Sequence, residues 1–394
     1  MRQQPSRRTI QRILSPNLLL TGGMVLFVIA LAYMGASARD QLNPAPLAAL
    51  PAVPGPSDDP LTPAKITLGK LLYFDPRLSG DGSLSCASCH DPKLGWGDGG
   101  DLSRGYPGTL HWRNSQTILN AAYLDRFFWT GSSPDLPAQA KAAITGPLAQ
   151  NMNPALMEER LKQIPAYVGL FQQTYGGPPT FENALRAISA FERTIVSKNV
   201  PFDRYMKGDK MALTPLQVKG LTLFEGKAGC VQCHNGPLFT DQKLYNLGVP
   251  KNPAFDQDPQ RQIAMRERMR AKGIHEAVIR ALDRDPGHYL DTKREEDKGS
   301  FRTAPLRELR YTAPYMHNGV FFSLEEVIHF YDRGGGDDPF GTKSSLIRPL
   351  QLTAEEKAAL VAFLESLSGD QILVDTPELP EYEVLPLPFA GAVR

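Results

Sequence analysis

The chain has 394 residues, with 43 Lys and Arg against 42 Asp and Glu, a net charge of +1. That length allows two domains of ordinary size. The even balance, with no basic tract and no acidic tail, excludes a nucleic-acid-binding protein and a charged adaptor. Proline and glycine, 34 of each, predict a loop-rich fold, and the scarcity of period-two alternation predicts that its ordered part is mainly α.

Residues 1–17 carry Arg2, Arg7, Arg8 and Arg12 and no acid, and Leu18 to Ala36 follow without a charge. A basic segment before an apolar one directs export with the basic end held inside. The run 18–36 is long enough for a transmembrane anchor, while Ala36-Ser37-Ala38 has the small residues of a signal cleavage site. Both outcomes place the body of the protein in the periplasm, tethered to the inner membrane in the first case. Residues 37–60 are proline-rich and predict a stiff, extended linker.

Leu61-Thr62-Pro63 opens a helix, with Thr62 as N-cap and Pro63 at its first position. The helix leads to Cys86-Ala87-Ser88-Cys89-His90. Leu213-Thr214-Pro215 opens a similar helix, which leads to Cys230-Val231-Gln232-Cys233-His234. CxxCH is the attachment signal of c-type haem: the thiols bond the vinyl groups and the adjacent imidazole binds iron. The two motifs use all four cysteines of the chain. Zinc would draw four N or S ligands together, whereas these pairs lie far apart and each is followed by His. The repeat predicts two haem domains, 61–212 and 213–372, and two covalent haems. A proline-rich tail, 373–394, is predicted to lie on the surface.

Between the motifs lie a glycine-rich loop over 95–108, then Arg113-Asn114-Ser115 and Phe128-Trp129-Thr130-Gly131. Helices are predicted over 154–167 and 181–197, the second with Ala184, Ile188, Phe191 and Ile195 on one face. Residues 256–284 read as a charged helical excursion, a solvated helix or lid, with His275 and His288 in water. A helix capped by Ser323, with Glu326 at its third position, runs to Arg333. A last helix over 353–367 buries Leu360, Phe363, Leu364 and Leu367.

The two CxxCH motifs, Arg113-Asn114, Phe128-Trp129-x-Gly131, Thr312-Ala313-Pro314-Tyr315-Met316-His317, Leu324-Glu325-Glu326 and Tyr331-x-Arg333-Gly334-Gly335 occur in this order. Together they resemble the bacterial di-haem cytochrome c peroxidase family, its MauG-like branch included, over residues 59–370. The resemblance implies two mainly helical cytochrome c-like domains with a calcium ion between them. It makes His90 the proximal ligand of an N-terminal haem where hydrogen peroxide reacts, and His234 that of a C-terminal haem that handles electrons. Trp129 becomes a relay between them, and Asn114 with the carbonyls of Thr312 and Pro314 the calcium ligands. Tyr331, fourteen residues after His317, stands where the family's peroxidases have an axial methionine. A phenolate there stabilises ferric iron and matches MauG-like members. His329 is a rival ligand, but it points elsewhere on a helix.

Gln139 matches the family's distal glutamine, but the following segment, Gly146 to Asn153, holds no acid. Gln150 or Asn151 can orient peroxide but cannot deliver a proton, and Glu158 sits on a solvated helix face. The family's removable distal histidine is also absent; Tyr106 falls near its place, and His111 is a displaced candidate. The implied activity is peroxide reduction with electrons from a small periplasmic donor protein. The alternatives are a MauG-like oxidation of a partner protein's side chains, or a di-haem electron carrier without catalysis.

Overall fold

A computed structural model describes residues 44–106 and 108–384; the segments 1–17 and 18–36 lie outside the described residues. The helices that build two matching halves are α1 (Pro63–Phe74), α2 (Leu136–Thr145) and α3 (Phe181–Glu192), then α4 (Pro215–Glu225), α5 (Leu324–Asp332) and α6 (Ala354–Glu365). Their starts follow local chemistry. Thr62 accepts the Lys65 amide, and Thr214, Ser323 and Thr353 each close a capping box with Gln217, Glu326 and Glu356. Strands are few: β1 (Arg104–Gly105) pairs antiparallel with β2 (Thr109–Leu110), and β3 (Leu244–Tyr245) with β4 (Phe301–Arg302).

In each half the two long helices touch through a glycine. A Cβ on Gly69 of α1 would lie 1.8 Å from the Ala187 carbonyl oxygen of α3 and 3.0 Å from the Phe191 Cβ. A Cβ on Gly220 of α4 would lie 2.0 Å from the Ala359 oxygen of α6 and 2.6 Å from the Phe363 Cβ. Only glycine permits such an approach. Around the first crossing, Leu68, Leu72, Trp96 and Ile188 form one core. Around the second, Phe202, Phe224, Phe239 and Phe363 form another.

The repeat extends to the loops before α2 and α5. An isolated bridge joins Phe127 to Ser133 and its counterpart joins Tyr315 to Phe321. Positive φ recurs at Phe128 (64°) and Met316 (72°), and at Gly131 (65°) and Gly319 (60°). Trp129 and His317 are therefore equivalent positions. The halves meet through a reciprocal pair of hydrogen bonds: Asn114 N donates to His317 O and Arg302 N to Trp129 O, both at 2.8 Å.

Three expectations are corrected. The helix expected over 154–167 is two, Pro154–Lys162 and Pro165–Tyr175. Pro165 has no amide to continue the first and forces Ile164 into extended backbone. The helix expected over 181–197 ends at Glu192. The excursion 256–284 is neither one helix nor a solvated lid. It forms Pro253–Gln257, Pro259–Ala271 and Glu276–Ala281, and buries Phe255, Met265, Met269 and Ile279 against Leu102 and Trp112. His275 is exposed, but His288 is half-buried and its Nδ1 has no partner. Beyond the second half, the chain returns to the first: Trp96 Nε1 donates to Ile372 O at 2.8 Å, and Val374 packs on the first core.

Candidate haem sites

Each CxxCH motif folds as one 3-10 turn, Cys86–Ser88 and Cys230–Gln232. The His90 amide donates to Cys86 O at 3.0 Å and the His234 amide to Cys230 O at 2.8 Å. All four thiols are free and half-buried. His90 Nδ1 donates to Trp96 O at 3.2 Å, and His234 Nδ1 to Phe239 O at 3.0 Å. Trp96 (φ 62°) and Phe239 (φ 57°) adopt left-handed backbone to present those carbonyls. With Nδ1 holding the proton, Nε2 keeps its lone pair for a metal. Burial lowers both imidazole pKa values, which favours the neutral, ligating form.

The second turn opens on a cavity of about 1950 Å³, solvent mouth included. Cys230, Cys233 and His234 line it, and so does Tyr331 from the last turn of α5. Burial raises the Tyr331 phenol above its ordinary value. His329 is exposed and absent from the lining. Two guanidinium groups reach the same cavity. Arg302 is 4% exposed, and burial pushes it down to about 10; Arg307 is 2% exposed. Arg307 pairs with Asp203 at 2.8 Å, yet the Nη1 atoms of both arginines are buried without a partner among the described residues. A largely apolar cavity with guanidinium nitrogens still open to a partner in its wall suits a large apolar group bearing carboxylates. Haem c fits that description, and its propionates would complete Arg302 and Arg307.

Between the halves, Trp129 donates from Nε1 to Asn114 O at 2.9 Å. Its ring lies 6.5 Å from that of His317, edge-on, and His317 stacks on Phe301 at 3.6 Å. Burial pushes His317 down to about 3, so it is a neutral imidazole at any working pH. All three rings line the second cavity. Asn114, Thr312 and Pro314 line it too. Asn114 Nδ2 donates to the carbonyls of Gly100 (2.9 Å) and Asp101 (3.3 Å).

In the first half, α2 starts after Asp135 as α5 starts after Ser323. Counting from the caps, Gln139 corresponds to Val327 and Ala143 to Tyr331. Val327 lines the second cavity, and Gln139 is its counterpart in the repeat. A methyl group thus stands where the other half has a phenol. Gln150 is buried beside Cys86, Asn151 is exposed, and Glu158 accepts the Phe181 amide at 2.8 Å. His111 Nε2 donates to Leu148 O at 2.5 Å and its ring stacks on Trp112. Tyr106 is half-buried, its amide bonded to Ala149 O. Sequence reading missed His317, Arg302 and Arg307 as site residues, although His317 ends a quoted motif.

Two haem-attachment turns in a mainly α chain, with a buried aromatic contact between the halves, define a di-haem c-type oxidoreductase. The family model described as di-haem cytochrome c peroxidase matches residues 63–211. The cytochrome-c peroxidase IdrP1 of Pseudomonas sp. (strain SCT) is 53% identical over 92% of this chain and 96% of its own. The methylamine utilization protein MauG of Methylorubrum extorquens is 36% identical over 83% and 85%. A solved MauG-like protein associated with microbial copper homeostasis superposes with a TM-score of 0.69 at 29% identity, covering 82% of this chain and 96% of that one. The chain belongs to the di-haem cytochrome c peroxidase family, which includes the MauG proteins.

Proposed function

We propose that the protein reduces hydrogen peroxide in its N-terminal half with electrons that enter through its C-terminal half. Each half is a cytochrome c-like domain. Haem c, when bound, supplies redox-active iron: in one half for peroxide, in the other for electron exchange. The observation that carries the division of labour is the contrast between Ala143 and Tyr331 at equivalent positions of α2 and α5. Tyr331 would offer a phenol oxygen to the iron of the C-terminal half; Ala143 has no atom that could ligate the iron of the N-terminal half. His90 and His234 would hold the irons through Nε2. Gln139 offers an amide to orient peroxide. Trp129, His317 and Phe301 bridge the halves as an electron relay. The protein works in the periplasm, with a small electron-donor protein as partner; among the described residues no helix is long and apolar enough to cross a membrane.

Two tests apply. The ferric protein, carrying two covalent haems by pyridine haemochrome, gives one high-spin and one low-spin signal and turns over peroxide with a small c-type cytochrome as donor. Two low-spin signals and no turnover would leave only an electron carrier. Tyr331 also supports a MauG-like reading, in which the stored oxidising equivalents act on a partner protein's side chains. Calcium is proposed at Asn114 Oδ1 and the Thr312 and Pro314 carbonyls, a neutral oxygen set suited to a hard cation. Exhaustive chelation then slows exchange between the haems and alters the spectrum; no change in either removes the site.

A further inference from the structure

The first half buries an acid that none of these roles uses. Glu192, the last residue of α3, is 5% exposed, and its Oε2 has no hydrogen-bond partner among the described residues. Its neighbour Arg193 does not neutralise it: that guanidinium donates to the carbonyls of Pro54 and Ala122. The internal repeat says what Glu192 faces. Gly69 meets Ala187 and Phe191 as Gly220 meets Ala359 and Phe363. The residue after Phe191 is Glu192, and the residue after Phe363 is Leu364, which lines the cavity of the second haem site. Glu192 therefore stands in the wall of the first. The charge interaction between Glu192 and Cys86 places it at the attachment edge. An unpaired carboxyl occupies a place that the electron-handling half fills with leucine.

We propose that Glu192 is the proton-holding group of the N-terminal haem pocket. The inference rests on the peroxidase reading of that half. Glu192 takes one proton from water as one electron arrives in the pocket from the donor, and returns it as the electron leaves. An added negative charge in a low-dielectric site raises the pKa of a neighbouring carboxyl. Burial alone holds Glu192 up at about 8, within reach of neutral pH on either side of that step. The groups that face it are Tyr73 from α1, Cys86 from the attachment turn and Arg193 from its own helix. Tyr73 is held neutral by burial and donates to His90 O at 2.8 Å. Cys86 carries no charge once thioether-bonded. Arg193 stays cationic and favours ionisation only in part.

The test is redox titration of the holoprotein from about pH 6 to about pH 9, with infrared difference spectra between its oxidised and reduced forms. The N-terminal potential should fall with pH, the slope approaching about 59 mV per pH unit, the one-electron equivalent of a tenfold change in proton concentration. A protonated-carboxyl carbonyl band should change with redox state. Glu192→Gln removes that band and flattens the slope; Glu192→Leu, which copies the other half, does the same. The C-terminal potential keeps its own pH profile in both variants. A wild-type N-terminal potential independent of pH, or a slope and band that survive in Glu192→Gln, overturns the proposal. Should neither variant fold, the wild-type slope and band decide alone. A missing haem or two low-spin signals would instead count against the peroxidase reading.

Discussion

Gly220→Ala is expected to destabilise the protein and to loosen the C-terminal haem site in particular. The new Cβ would lie 2.0 Å from the Ala359 oxygen and 2.6 Å from the Phe363 Cβ. Ordinary contact is about 3.5 Å, so α4 and α6 must part by roughly 1.5 Å. Overpacking of this kind costs about 1–3 kcal/mol, and the upper end applies because a backbone carbonyl cannot swing aside. Replacing glycine inside a helix returns about 1 kcal/mol, which leaves a net loss of about 2 kcal/mol. The site is affected because Phe224 and Phe363 share a core with the Cys230 turn. Gly169→Ala is the control. It lies in the helix Pro165–Tyr175 with nothing within 4 Å of its Cβ, and should gain up to about 1 kcal/mol. Denaturant unfolding of both holoproteins, followed by circular dichroism and by haem absorbance, measures the difference. Equal midpoints for the two variants would refute the close crossing.

Glu192 gives stability a pH dependence. Its carboxyl is held at about 8 against an ordinary 4.5, so between those values the folded state binds the extra proton and stability falls as pH rises. The loss reaches up to about 5 kcal/mol above the folded value; unfolding of Glu192→Gln at several pH values should lack that decline. Trp129→Phe removes the bond to Asn114 O, costs about 1 kcal/mol and slows exchange between the haems, as stopped-flow reduction would show. Arg302→Gln withdraws a buried positive charge from the C-terminal site. The oxidised state gains relative to the reduced one, so that haem's potential falls in potentiometry; a rise would exclude Arg302 from its surroundings.

What could be read from the sequence was local. Thr62, Thr214, Ser323 and Thr353 cap their helices because each cap depends on residues three positions away. The CxxCH turns are equally self-contained; Tyr331, which lines the second cavity, was singled out by the family resemblance and not by a local signal. Tertiary burial was not legible. The charged residues of 259–271 hid a buried face, Met265 and Met269, whose partners Leu102 and Trp112 lie far off in sequence. Arg307 and Glu192 look like surface charges until the fold closes over them. The symmetry of Trp129 with His317 is carried by backbone angles and bridges, which side-chain patterns do not record. Pro165 was legible and overlooked: a proline after an extended residue starts a helix and ends the previous one.

The central claim, that the two halves divide the work because Tyr331 closes one site and Ala143 leaves the other open, is tested most directly at Tyr331. The measurement is the C-terminal haem's potential and ferric magnetic-resonance signal in Tyr331→Met and Tyr331→Phe. A thioether favours the reduced state where a phenolate favours the oxidised one. Tyr331→Met should raise the potential and keep a low-spin signal of altered shape. Tyr331→Phe should convert that signal to high spin, unless another ligand is recruited and the signal again changes shape. If both variants keep the wild-type low-spin signal and potential, Tyr331 is not the ligand and the division of labour does not rest on it.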